Sequence, residues 1–74
     1  MDATLPLING QIDWPTYHAR RAVEYRAISE SWRGTAQTLA DSDPRLAVFA
    51  VSRANANELF AIEAEALAKS LKAA

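Results

Sequence analysis

From Pro44 to Ala74 the chain runs about thirty residues without an internal proline or glycine, and that run reads as one long helix. At about 100° per residue, Leu46, Phe49, Ala56, Phe60, Ala64, Leu67 and Leu71 fall on one stripe of it. Val48, Leu59, Ile62 and Ala66 fall on a second stripe beside the first, so the apolar arc is wider than the single stripe a surface helix buries. One neighbouring helix cannot cover that arc, which makes contact with more than one element the expectation.

Length sharpens the point. A chain of 74 residues forms one domain, and near ~70–80 residues a single core seldom supplies more than ~3–5 kcal/mol without a staple. With no cysteine and one histidine, neither disulfides nor a thiolate or multi-histidine zinc site is available. No metal or cofactor is expected, and oligomerisation or docking remains as the staple. A formal net charge of -1 argues against nucleic acid as a partner. The start Met1-Asp2 has neither the positive nor the apolar region of a leader, and the apolar run Leu46 to Val51 is too short to span a bilayer. A soluble cytoplasmic chain without a membrane partner is the expectation.

Residues 1–12 form an apolar arm. Leu5, Leu7, Ile8 and Ile12 surround Pro6 and an Asn9-Gly10 pair, the strongest two-residue turn signal. The arm either closes the open end of the helical core or clasps a neighbouring subunit, and a miniature hairpin at Asn9-Gly10 is weakened by Pro6.

The remainder, 13–74, reads as a helical hairpin: helix 14–40, turn 41–43, helix 44–73. Asp13 caps the first helix, and Pro15 sits where its missing donor costs nothing. Trp14, His18, Arg21, Tyr25, Ile28, Trp32, Ala36 and Leu39 share one stripe, and Gly34 marks a place for a kink. Asp43 caps the second helix and Pro44 occupies its first position, while Lys69 and Lys72 suit the negative end of its dipole. The short turn makes the helices antiparallel.

Folded on that turn, the two large-residue stripes face each other, with Leu39 meeting Leu46, Ala36 Phe49, Ile28 Ala56, Tyr25 Phe60, His18 Leu67 and Trp14 Leu71. Arg53 would lie over Trp32, and Glu63 would come near Arg21. Val48, Ser52, Asn55, Leu59, Ile62 and Ala66 are then left for a second copy. Run antiparallel against itself, that strip sets Val48 across from Ala66 and Asn55 across from Leu59. The expected fold is therefore all-α: a two-helix antiparallel hairpin with an N-terminal extended arm, pairing into a dimeric four-helix bundle. The arm residues Leu5, Leu7 and Ile8 make a second contact patch, and Tyr17, at the edge of its stripe, is a candidate binding anchor.

The residues offer no catalytic constellation. His18 has no carboxylate at helical spacing to orient it, and Glu63 points away from the face shared by Glu58 and Glu65. Gly10 and Gly34 alone build no phosphate loop. Arg20, Arg26 and Arg33 point in different directions around the first helix, unlike the basic face of a recognition helix. The expected function is non-enzymatic protein–protein contact: a small adaptor or inhibitor acting as a homodimer on a protein target, with no small-molecule substrate. A minor structural subunit of a larger assembly and a small nucleic-acid-binding regulator are the competing readings. In size and layout alone the chain resembles small bacterial and bacteriophage proteins that bind a host factor or pack into a particle.

Overall fold

The computed structural model describes residues 4–73. Residues 1–3 of the arm and the last residue of the long run lie outside the described residues. The arm forms the miniature hairpin: β1 (Leu7–Ile8) pairs antiparallel with β2 (Gln11–Ile12), Leu7 opposite Ile12 and Ile8 opposite Gln11. Asn9 and Gly10 make the turn with φ of 53° and 79°. Two consecutive positive φ values give the turn whose twist matches the flanking strands, and this is why Asn-Gly overrides the handicap of Pro6. The backbone N–H of Asp13 donates to the Pro6 carbonyl at 2.8 Å and ties the hairpin to the first helix.

Helix α1 spans Trp14–Leu39. The Asp13 carboxylate accepts from the Thr16 backbone N–H at 3.4 Å and from the Thr16 hydroxyl at 2.6 Å, satisfying a donor the helix leaves open. The helix passes through Gly34 without a break. Nothing lies within 4 Å of a Cβ placed there, so Gly34→Ala should stabilise the fold by about 0.5–1 kcal/mol, read from urea unfolding at fixed protein concentration.

The chain turns through 40–43, with the Asp43 N–H donating to the Leu39 carbonyl at 2.8 Å. Asp43 then caps α2 (Pro44–Ala73), its carboxylate accepting from the Leu46 N–H at 3.2 Å. Both helices and the turn lie where the capping residues place them, and the helices pack against each other as the hairpin.

The packed seam is another matter. The buried positions of α2 are Ala47, Ala50, Ala54, Asn57, Ala61, Ala64 and Ala68, and those of α1 are Ala22, Ser29 and Ala36. Spacings of three and four on α2, and of seven on α1, are those of a heptad seam, here filled with small side chains. The Ser29 hydroxyl donates to the Ala54 carbonyl at 2.8 Å and fixes the register. Stepping one heptad either way sets Ala36 beside Ala47 and Ala22 beside Ala61. The expectation that Leu46, Phe49, Phe60, Leu67 and Leu71 form the buried seam against α1 is thus corrected: each is exposed along the flank, although Phe60 meets Tyr25 of α1 as expected. Small residues let two helix backbones approach closely, and a large side chain in the same place would hold them apart.

The product is a slab. Its extents are 53 × 23 × 11 Å and its radius of gyration is 15.7 Å, against about 11 Å for a compact domain of this length.

Candidate functional site

The seam divides the slab into two unlike faces. On one, Trp32 meets Phe49 edge to face at 5.9 Å between centroids, and Tyr25 meets Phe60 at 5.5 Å. Ring contacts across the two helices place both large-residue stripes side by side on this face: Trp14, His18, Arg21, Tyr25, Ile28, Trp32 and Leu39 from α1, and Leu46, Phe49, Arg53, Ala56, Phe60, Glu63, Leu67 and Leu71 from α2. Of the two stripes read from the sequence as a core, Ala36 and Ala64 are buried, and the large residues lie half-buried or exposed at a surface. Phe49 is 50% and Phe60 47% exposed, and Trp14, Ile28, Leu46, Leu67 and Leu71 are exposed with them.

At the end where α1 begins, the face carries a ring cluster. Tyr17 meets Trp14 at 5.5 Å and His18 at 5.1 Å, both edge to face, while His18 stacks on Trp14 at 5.9 Å. Tyr17 is half-buried and lines a hollow of about 320 Å³ together with His18, Arg21, Tyr25, Phe60, Glu63 and Leu67. Arg21 and Glu63 share that hollow, but the charge partner of Arg21 is Glu24. The guanidinium also donates to the Tyr25 hydroxyl at 3.1 Å and lies 4.8 Å from the centre of that ring. The bond to Tyr25 is the main cause that raises the Arg21 pKa above its ordinary value; burial opposes it, and the charges of Tyr25 and Glu24 add to it. The cation–π contact is thus Arg21 on Tyr25 rather than the expected Arg53 on Trp32, because Phe49 takes the Trp32 ring.

The opposite face carries the ion pairs between the helices. Arg26 donates through Nε and Nη2 to Glu65 at 3.0 and 2.7 Å, and Arg33 pairs with Glu58 and reaches Asn55 at 3.5 Å. These are two rungs one heptad apart on each helix. All four side chains are over 40% exposed, so the rungs define the antiparallel register more than they stabilise it. Arg20 donates to the Thr4 carbonyl at 3.1 Å and holds the arm.

The strip assigned to self-association lies along the outer edge of α2, roughly a third of a turn from the aromatic stripe. Val48, Leu59 and Ile62 are 70%, 53% and 51% exposed, and Ser52, Asn55 and Ala66 between them are exposed too. The described residues of the arm leave it uncovered. Leu5, Leu7 and Ile8 are exposed at the far end of the slab, where Ile8 lines a groove of about 750 Å³ with Pro15, Ala19, Val23, Ala68 and Lys69.

Among the described residues no group of three or more His, Cys, Asp or Glu side chains is placed to hold a metal ion, and no helix is long and apolar enough to cross a membrane. No buried polar side-chain atom among them lacks a hydrogen-bond partner, which leaves no orphaned group pointing at a ligand. Compared with protein-family models, with curated proteins and with solved structures, the chain matches none. The functional reading rests on the chain's own geometry.

Proposed function

We propose that this chain is a non-enzymatic protein–protein contact module that works as a homodimer, two slabs meeting aromatic face to aromatic face as a four-helix bundle. One observation carries the reading: a single layer of helix bears a two-helix-wide apolar face that no described residue of its own chain covers. Stable domains bury such a face against a second layer. The accessible surface is 5500 Å², where a compact monomer of 8.1 kDa exposes about 4500 Å². The difference, about 1000 Å², is close to the ~800 Å² each partner contributes to a standard stable interface.

Self-association is thereby assigned to the aromatic face rather than to the strip of Val48, Ser52, Asn55, Leu59, Ile62 and Ala66. The aromatic face spans both helices, whereas the strip occupies one and is broken by Ser52 and Asn55. With the bundle closed, that strip and the arm residues Leu5, Leu7 and Ile8 remain outside, and they are the surface left for a protein target. Gel filtration with light scattering at micromolar concentration should give the mass of two chains. A monodisperse species at 8.1 kDa would overturn the reading.

A further inference from the structure

Resting on that dimer, we infer its register: the second copy lies antiparallel, α2 on α2 and α1 on α1, about a two-fold axis that crosses α2 at the level of Glu58, with Arg53 paired to Glu63 of the partner subunit in both directions. Arg53 and Glu63 are exposed on the aromatic face, and neither has an ion-pair partner among the described residues. Charges on an interface find opposite charges or weaken it.

Reversing α2 on itself about Glu58 sets residue 53 against residue 63. The same operation sets Ala56 against Phe60 of the partner subunit, a small residue against a large one, and Phe49 against Leu67 of the partner subunit. Leu46 comes beside Leu71 of the partner subunit at the ends. The layer from α1 provides an independent check. Because Tyr25 stands beside Phe60 within one chain, an axis at the level of Glu58 of α2 passes between Tyr25 and Ile28 of α1. Reversing α1 there sets Tyr25 against Ile28, Arg21 against Trp32 and Trp14 against Leu39 of the partner subunit, again with apolar or cation–π partners. One axis therefore satisfies both layers, and an isologous contact requires this of a self-complementary surface.

The test uses charge reversal on the full chain. Arg53→Glu leaves two carboxylates facing at each of the two symmetric positions, and Glu63→Arg leaves two cations. Each variant alone should weaken dimerisation about tenfold or more in sedimentation equilibrium, with helicity by circular dichroism unchanged because both sites are exposed. Mixing the two variants restores opposite charges at both positions, so native mass spectrometry should show the mixed dimer in large excess over either homodimer. If the wild-type chain dimerises but the reversals leave its dissociation constant unchanged, or mixing shows no preference, the register is wrong while the dimer stands. A monomeric wild type overturns the register and the dimer together.

Discussion

Ala54→Leu is expected to unfold the hairpin or bring it to the edge of unfolding. Ala54 is fully buried, and its carbonyl takes the Ser29 hydroxyl at 2.8 Å. It sits in the middle of the seam, with Ala50 and Ala61 a turn or two away and as deeply buried. A branched side chain there has no cavity to enter and must push α1 outward along its length. Overpacking of a tight core costs ~1–3 kcal/mol, and displacing Ser29 adds the loss of its buried hydrogen bond, ~1 kcal/mol. Against the ~3–5 kcal/mol that one core of this size supplies, that is most of the margin. The midpoint of thermal unfolding should fall by roughly 4–8 °C for each kcal/mol lost. Ala66→Leu is the control, since Ala66 is exposed on the same helix and should change stability by no more than about 0.5 kcal/mol. Equal melting curves for the two variants would mean that the alanine heptad is not the seam.

That contrast locates what could be read from residues alone. Local chemistry was legible: Asp13 and Asp43-Pro44 set the helix starts, and Asn9-Gly10 set the turn, because each is decided within four residues. The neighbourhood of Tyr25 and Phe60 was legible too, since a short turn between antiparallel helices leaves little freedom in register. Which stripe turns inward was not. The large residues and the alanines repeat at the same helical spacing, so periodicity cannot choose between them, and ranking by hydrophobicity favours the large ones. Close backbone approach favours the small ones. The heptad of Ala47, Ala50, Ala54, Ala61, Ala64 and Ala68 was the available signal, matched by Ala22, Ser29 and Ala36 seven apart. The ion-pair rungs went unread for a related reason. Arg26 and Arg33, like Glu58 and Glu65, are separated by seven, and they become partners only when one helix is laid against the other.

The double substitution Phe49→Glu with Phe60→Glu should convert the dimer to monomers at micromolar concentration, while Leu59→Glu with Ile62→Glu should leave it intact. Phe49 and Phe60 are 50% and 47% exposed in the single chain, so each keeps on the order of 100 Å² for a partner to cover. At ~25 cal/mol per Å² that is roughly 2 kcal/mol per ring. Two rings from each of two chains give ~8 kcal/mol, about the whole free energy of a micromolar complex. Removing them, and placing carboxylates where water would be expelled, outweighs what the remaining contacts of the face contribute. The monomer should keep its helices, because neither ring lies in the alanine seam. Leu59 and Ile62 sit on the outer edge of α2, away from the proposed bundle core, so carboxylates there stay in water and alter only what the dimer presents to a target. Light scattering on the two double variants separates the faces: if the edge substitutions split the dimer and the aromatic ones do not, self-association runs through the strip that begins at Val48.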